Sequence, residues 1–458
     1  MRRFPLSLLC GCALVGAARA QFIPTAAGPY FYSDTANWTG GLINDVFSQT
    51  LTANQSVVLS STINAAPIFT FGGGFDLSLR GNSAVAATLN LTGNIVVDSI
   101  AGGRTVSIGS STTQNQVEVA TVAGVGFNVA GDDTLVLWNR VSGTGFYTSG
   151  AGTVMLRGAN TFTGGIGIGG GIVDVSADSN LSAAPATPAD NIRFSGNPFD
   201  PGVLRLASSF DINANRTVKF GASSGGAIDT NGFNSTYAGT ISGSGNNAYF
   251  EKRGAGELRL KGANTYFGDT TIRGGTLAWD YTANNGSKLD ATGYVTLSGS
   301  GALSLTGSNS ADTVQGIASL AIAGSSAVRL SSGPGQSVFF NVDQLLRGNG
   351  TVDLTLPASG GIHVNSPGIS GVLGYATVAG VDWAIRDAAG YLVPLPAYDL
   401  DSLATGANAD LTASQSLAAS TAIGSLRFHT PASVNVAIAP GARLTVGASG
   451  RSGGILVT

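Results

Sequence analysis

Short stretches in which hydrophobic and polar residues alternate run along most of the chain. Examples are residues 116–119 (Gln-Val-Glu-Val), 134–137 (Thr-Leu-Val-Leu) and 351–356 (Thr-Val-Asp-Leu-Thr-Leu), with Gly, Asn, Asp and Ser clusters between such stretches. A period of two is typical of a strand with one buried face. The best candidate for a helical period of 3.6 is the short stretch 311–322. The pattern therefore predicts an all-β protein of short strands and tight turns.

A long internal repeat adds a second level of order to this pattern. Residues 150–173 (GAGTVMLRGANTFTGGIGIGGGIV) align without a gap on residues 254–277 (GAGELRLKGANTYFGDTTIRGGTL), and about half of the positions are identical. Sequence repetition of this kind is typical of stacked structural units. Each copy is predicted to form three strands, with Val154 and Leu156 pointing to one face of the first strand. The third strand is predicted to start after a sharp bend at Gly170-Gly171.

These features predict a right-handed parallel β-helix, in which each strand pairs with its counterpart about 4.8 Å along the axis. A rung is expected to contain about 22 residues, with Val, Leu and Ile stacked inward and Thr, Ser, Asn and Arg facing out. A β-sandwich or barrel of hairpins is the alternative, since short strands with Gly-rich turns also suit it. The repeat favours the β-helix, because a sandwich gives no reason for its units to recur in sequence.

The predicted organisation has five parts and one irregular segment. Residues 374–400 carry Trp383, Tyr391, Pro394, Pro396 and Tyr398 and interrupt the strand rhythm, so they are predicted to form an excursion from the β-helix. The parts are a signal peptide at 1–20, rungs at 21–149, rungs with the two repeat copies (150–177 and 254–281) at 150–281, further rungs at 282–373, and the excursion with the C-terminal rungs at 374–458.

Composition supports strands over helices and narrows the function classes. Of the 458 residues 67 are glycine and only 11% are charged, with four lysines and three glutamates, so good helix formers are scarce. The formal net charge is -3. There is no basic stripe, and we therefore expect no nucleic-acid partner.

The N-terminus predicts export. Arg2 and Arg3 precede an apolar run, and Ala18-Arg19-Ala20 offers the small residues of a cleavage site before Gln21. Cys10 and Cys12 are the only cysteines and leave with this segment, so the mature chain has no disulfide and no thiol chemistry. No second long apolar run follows, and a transmembrane segment is not expected. We expect a monomer.

The two copies resemble the autotransporter-associated β-strand repeat, whose pattern is Gly-Ala-Gly, an alternating strand, Gly-Ala-Asn-Thr-Tyr-Thr-Gly and then Gly-Gly-Thr-Leu. The resemblance implies a secreted or surface-displayed β-helical passenger, generally without an enzymatic role, that precedes a β-barrel translocator or a sorting anchor. Residues 350–458 show neither the strand pattern of a translocator nor an apolar anchor. We therefore expect a piece of a longer protein, associated with the outer membrane if such an element follows Thr458.

Candidate chemistry is sparse, and no catalytic, cofactor-binding or metal-binding residue is assigned. His363 and His429 both lie in strand contexts and are predicted to face outward without a second ligand. The acids that a carbohydrate-active β-helix could use are Asp132, Asp133, Asp174, Asp269, Asp280 and Asp382. Asp132 and Asp133 are neighbours and are predicted to point to different sides. The tryptophans that could stack on a sugar or pack a rung are Trp38, Trp138, Trp279 and Trp383.

Two functions remain open from the sequence. The first is a non-enzymatic exported protein that uses its long polar surface for adhesion, with extracellular polysaccharide or cell-surface components as partners. The second is a polysaccharide lyase or hydrolase on the same fold. The scarcity and scatter of acids, bases and histidines favours the first.

Overall fold

The computed structural model describes backbone and side chains at residues 76–81, 86–98, 103–112, 116–197, 200–243, 248–366, 368–447 and 453–458. Before residue 76 it describes only strand positions. The predicted signal peptide at 1–20 and the side chain of Trp38 lie outside the described residues.

The strands wind into a β-solenoid with three faces, of which one is much the longest. This long face is a fifteen-stranded sheet. Its strands are Pro29–Phe31, Gln55–Leu59, Leu77–Gly81, Thr105–Ile108, Thr134–Leu137, Thr153–Leu156, Ile172–Val175, Gly202–Leu206, Gly225–Asp229, Tyr249–Arg253, Asp269–Ile272, Tyr294–Leu297, Thr313–Ile322, Val338–Arg347 and Gly360–Val364.

The other two faces are shorter. The second face precedes the long face in the rungs up to residue 253. Its strands are Val46–Leu51, Ile68–Gly73, Asn94–Asp98, Gly126–Val129, Phe146–Ser149, Ile166–Ile168, Ala189–Phe194, Arg216–Phe220 and Ile241–Gly243. The third face follows the long face and has two sections. The first is Ile63–Ala65, Ala87–Leu91, Val117–Thr121 and Val141–Gly143. The second is Ser235–Tyr237, Glu257–Leu260, Thr276–Asp280, Ala302–Thr306, Ser325–Ser331, Thr351–Thr355, Val372–Val378, Asp382–Arg386 and Leu392–Pro394.

The remaining strands form small sheets at either end. A C-terminal unit contains a four-stranded sheet of Asp399–Leu400, Asn408–Leu411, Ser425–Phe428 and Ile455–Val457. Two strand pairs complete it, Gln415–Leu417 with Val436–Ile438 and Thr421–Ile423 with Leu444–Val446. Near the N-terminus Gln21–Phe22 pairs with Trp38–Thr39. The helical element among the described residues is the short 3-10 helix Asp178–Leu181.

Parallel pairing decides between the two predicted folds. On the three faces each strand pairs in parallel with its counterpart in the next rung up to the strand Val372–Val378. The prediction of an all-β solenoid of parallel strands is confirmed, and the hairpin-built sandwich is wrong. The predicted excursion near 374–400 is confirmed too, because Val372–Val378, Asp382–Arg386 and Leu392–Pro394 pair antiparallel.

Rung length varies along the solenoid, whereas the sequence pattern suggested a nearly constant value. Leu135 pairs with Val154 across a short rung, whereas Asp174 pairs with Arg205 across a much longer one. The longer rung includes the 3-10 helix, which the buried side chain of Arg216 secures by donating to Asp178 Oδ1 at 2.8 Å. The extra residues thus form a loop that projects from the rung, and the strands on either side keep their register.

A ladder of inward side chains forms the core of the long face. Its members pair from rung to rung and are at most 2% exposed: Leu77, Val106, Leu135, Val154, Val173, Leu204, Ile228, Lys252, Ile272, Leu297 and Ile322. Ten of the eleven are aliphatic, as predicted. Each contributes apolar surface that would otherwise meet water, worth about 1.5–3 kcal/mol for a fully buried side chain.

Glycine is required where the chain turns into the long or third face. Gly171 and Gly275 hold the same place in the two repeat copies and have φ of 64° and 62°. A Cβ at either position would lie 2.3 or 2.2 Å from a backbone carbonyl oxygen of the preceding rung, which is too close for any side chain. The bend predicted at Gly170-Gly171 is therefore confirmed.

The C-terminal unit has its own small core and is joined to the excursion by one arginine. The core contains Ala407, Ala409, Leu411, Ile423 and Leu426. The guanidinium of Arg427 lies 3.6 Å from the ring centre of Tyr398, pairs with Asp410 at 2.5 Å and also binds Asp382. Asp382 belongs to the excursion and Asp410 to the unit, so this cluster connects the two parts of the structure.

No helix in the described part of the chain has the length and hydrophobicity that a membrane span requires.

Lys252 is the polar member of the long-face ladder. It lies between Ile228 and Ile272, is 0% exposed, and its ammonium donates to the carbonyls of Arg253, Gly254 and Gly274 at 2.7 to 3.1 Å. Burial lowers the pKa of Lys252 to about 8, against the opposing effect of the Asp229 carboxylate. The ladder therefore accepts a cation only because the neighbouring turn supplies backbone oxygens.

This burial makes stability depend on pH. Between pH 8 and the ordinary lysine pKa of about 10.4, the unfolded chain keeps a proton that folded Lys252 has lost, so the free energy of unfolding rises with pH in this window. We expect the free energy of unfolding to rise in the wild type, relative to Lys252→Met, by up to about 1.4 kcal/mol per pH unit. Urea unfolding of both proteins from about pH 7 to pH 9.5 measures the difference. A difference that stays constant with pH would contradict the expectation.

Candidate functional site

The two repeat copies have the predicted three-strand structure. In the first copy the strands are Thr153–Leu156, Ile166–Ile168 and Ile172–Val175, and in the second they are Glu257–Leu260, Asp269–Ile272 and Thr276–Asp280. Inward and outward positions of the first strand alternate as expected, because Val154 and Leu156 are buried.

The copies do not occupy equivalent places on the solenoid. Thr153–Leu156 belongs to the long face, whereas Glu257–Leu260 belongs to the third face. The offset between the copies therefore corresponds to four rungs and one further face. The repeated sequence therefore specifies the turns and the strand stacking, which can begin on either face. It does not produce the same outer surface twice.

A buried asparagine explains why the Gly-Ala-Asn turn recurs. Asn160 Oδ1 accepts from the amide of Val141 in the preceding rung at 2.7 Å, and its Nδ2 donates to the carbonyl of Asn180 in the following rung at 2.6 Å. Asn264 makes the same two bonds, to Ile241 N at 2.9 Å and Lys288 O at 3.0 Å. This side chain thus links three successive rungs in both copies.

A ring position in the motif is filled differently in the two copies. Phe162 is 1% exposed in the first copy, and the corresponding Tyr266 is fully buried in the second. The Tyr266 hydroxyl lies 2.8 Å from Thr270 Oγ1, whereas the residue at the position of Thr270 in the first copy is Ile166. Burial raises the pKa of Tyr266 well above its usual range. The extra hydroxyl and its partner therefore occur together.

The six candidate acids lie in separate settings. Asp132 is exposed and Asp133 is buried, so their prediction to point to different sides is confirmed. Asp133 Oδ2 lies 3.8 Å from buried Arg104. Asp174 accepts from Arg157 at 2.5 Å and from Arg205 at 2.6 Å.

The other acids follow the same trend. Asp280 accepts from Arg259 at 3.2 Å and from the hydroxyl of Thr282 at 2.6 Å. Burial acts to raise the pKa of Asp280, but the Thr282 hydroxyl and amide and the Arg259 guanidinium outweigh it and hold the pKa below its usual value. Asp269 is exposed at the start of its strand, and Asp382 binds Arg427. Four of the six carboxylates are thus paired with arginine, an arrangement that favours structural roles over a raised-pKa acid.

The two histidines lie in different parts of the structure. His363 is half-buried in Gly360–Val364, with Nε2 3.1 Å from the carbonyl of Ala389 and its ring 5.1 Å from that of Tyr391. His429 is exposed, and its Nδ1 lies 3.8 Å from Asp410 Oδ2. Within the described ranges, no three His, Cys, Asp or Glu side chains come together as metal ligands.

The tryptophans with described side chains are not exposed platforms. Trp279 is 0% exposed between Leu260 and Leu305 in the register of the third face, and Trp383 is 4% exposed. Trp138 is half-buried. Trp279 thus packs a rung, which was one of the two roles considered for it.

Sequence reasoning missed one fully buried acid. Glu251 is 0% exposed although it faces outward, because Arg253 and Arg273 cover and bind its carboxylate and Tyr249 donates to it at 3.1 Å. Three ionised groups lie together here, but the two arginines occupy both carboxylate oxygens. The spacing Glu-Lys-Arg alone gives no sign of this, because Arg273 comes from the next rung.

The parallel solenoid and its repeated turns define the class of protein. The model of the passenger-associated-transport-repeat matches residues 146–175 and 250–278, which cover both copies. The predicted resemblance is confirmed: the chain carries two copies of a repeat associated with autotransporter passengers, within a β-solenoid fold.

One curated relative makes the likeness more specific. The Adhesin BmaC autotransporter of Brucella suis biovar 1 (strain 1330) is 30% identical over 306 residues, which cover 62% of this chain. The matched region spans only 8% of that adhesin's length. No solved structure gives a significant match.

The asparagine link predicts a matched set of stability effects. We expect Asn160→Ala and Asn264→Ala each to lower the free energy of unfolding by about 1–3 kcal/mol, because a buried amide and a buried carbonyl lose their partner. Exposed Asn309→Ala is the control and should change it by less than about 0.5 kcal/mol. Urea unfolding followed by circular dichroism measures all three. If Asn160→Ala and Asn264→Ala changed the free energy of unfolding as little as Asn309→Ala does, the asparagine side chain would not stabilise the turn.

The Tyr266 pair predicts non-additive effects. Tyr266→Phe strands the Thr270 hydroxyl and should cost about 1–2 kcal/mol, whereas Tyr266→Phe combined with Thr270→Ile restores the apolar pair of the first copy and should recover most of that loss. Phe162→Tyr, which buries a hydroxyl beside Ile166, should destabilise as well. Thermal unfolding of these three variants, of Thr270→Ile alone and of the wild type tests this, and strictly additive losses of Tyr266→Phe and Thr270→Ile would refute the coupling.

Proposed function

We propose that this chain is part of a secreted or surface-displayed adhesin and contacts cells or extracellular material through the outer surface of its solenoid. The observation that carries the proposal is the similarity to an adhesin autotransporter over 306 residues. Display on the outer membrane through a further element of the protein belongs to the same proposal.

The surface chemistry supports a binding role. Outward positions of the long face are often uncharged and polar, as in the stacked Thr105, Thr134 and Thr153. Arginines pair with four of the candidate acids, which favours structural ion pairs over acid–base catalysis. A long solenoid with a polar outer surface is better suited to binding over an extended area than to catalysis on a small substrate.

A bead assay tests the proposal. Beads coated with residues 21–458 should adhere to cultured epithelial cells several-fold more than beads coated with albumin at the same density, with an unrelated β-helical protein as the second control. Free protein should compete with the coated beads. Adhesion no greater than that of either control, on cells and on immobilised extracellular matrix, would count against an adhesin.

A further inference from the structure

A surface recess lies where the solenoid meets the C-terminal unit. It has a volume of about 530 Å³ and opens between the outer surface of the third face and the strand Ile455–Val457. We call it the junction cleft. Its size falls in the range of ordinary ligand sites, which often form between two structural units.

Small side chains form the floor of the junction cleft. Ala302, Ala327 and Asp353 are register partners on three successive rungs, so this floor extends about 10 Å along the solenoid axis. Ala302 and Ala327 carry only a methyl side chain, so the floor is low along these two rungs. The floor therefore runs lengthwise and suits an elongated molecule.

One side of the cleft presents hydrogen-bonding groups that the protein leaves available. Asp353 Oδ1 accepts from Thr377 Oγ1 and from the amide of Gly380, both at 2.7 Å, which orients the carboxylate and leaves Oδ2 as an acceptor. Arg329 is exposed and has neither a hydrogen bond nor an ion pair with the described residues, so its donors are free. Exposed Thr351 adds a hydroxyl two residues before Asp353 on the same strand.

Apolar side chains form another part of the lining. Tyr375 and Trp383 are 6% and 4% exposed and border the cleft together with Leu456 and Ile455, of which Ile455 is 61% exposed. Trp383 Nε1 has no hydrogen-bond partner among the described residues. A buried N–H without a partner costs free energy.

We propose that the junction cleft binds a neutral oligosaccharide, a deepening that rests on the adhesin function proposed above. One arginine and one aspartate give the cleft no net charge, so an uncharged ligand suits it better than an anion facing Asp353 or a cation facing Arg329. Sugar hydroxyls both donate and accept, which matches Asp353 Oδ2 and Arg329. The C–H face of a sugar packs on an apolar wall such as Leu456 and Ile455.

Calorimetric titration with neutral oligosaccharides tests the proposal on residues 21–458. The probes are cellotetraose, maltotetraose, mannotetraose and chitotetraose up to about 10 mM, which covers affinities as weak as a Kd of about 1 mM. Tetragalacturonate and an extended tetrapeptide of Ser and Val are the charged and the peptide arms. We expect at least one neutral probe to bind and the other two arms not to bind.

Two variants and one matched control locate the site. Arg329→Gln and Asp353→Asn should each weaken binding at least tenfold, whereas Arg193→Gln, another exposed arginine on the second face, should leave it unchanged. Asp353→Asn keeps an oxygen for Thr377 and Gly380, so its circular dichroism and melting temperature should match the wild type. Binding that survives both variants, binding of tetragalacturonate or the peptide alone, or no binding of any neutral probe overturns the proposal.

The bead assay separates this inference from the adhesin function. Equal adhesion of beads coated with Arg329→Gln and with wild type, together with no sugar binding in the titration, would support the adhesin function. The same result would reject oligosaccharide binding in the junction cleft. Binding of a neutral probe by a protein whose beads do not adhere would support the cleft and reject the adhesin.

Discussion

Rung-on-rung stacking of parallel strands is the constraint on which the rest of this structure depends. Each inward side chain must lie over the one in the preceding rung, and each backbone amide of a rung must find a carbonyl in its neighbour. The aliphatic ladder from Leu77 to Ile322 meets the first demand, and turns such as those at Gly171 and Asn160 meet the second. The shortage of lysine and glutamate follows, because a chain made of short strands and crowded turns has few positions for long, helix-favouring side chains.

The same constraint explains how polar groups enter the core. Lys252 occupies a ladder position only because carbonyls at the end of its own strand and in the turn of the next rung surround the ammonium. Arg216 is buried because backbone carbonyls and the Asp178 carboxylate of a long rung surround its guanidinium. In both cases the fixed course of the backbone supplies acceptors that a lone buried cation would lack, which is the condition for burying charge without unfolding the site.

The sequence predicts the features that depend on neighbouring residues. It does not predict the features that depend on contacts between residues far apart in the chain. Strand periodicity, the inward set Val154 and Leu156 and the bend at Gly170-Gly171 follow from residues close together in sequence, and the structure confirms them. The unequal rung lengths and the displacement of the second copy by one face depend on how loops are inserted, which no short-range pattern records. Arg329 and Asp353 carried no signal in the sequence, since only the register of neighbouring strands brings them close together.

In this solenoid the residues that stabilise the regular rungs differ from those that form the irregular junction. The repeat copies face different directions, so the turn chemistry that they share cannot present one recurring surface. An irregular surface in which side chains from distant segments meet arises where the rung pattern is interrupted. The excursion after Val372 is such an interruption, and it ends against the C-terminal unit through Arg427, Asp382 and Asp410. The regular rungs supply a stiff support, and the irregular junction supplies the concave surface with unpaired polar groups.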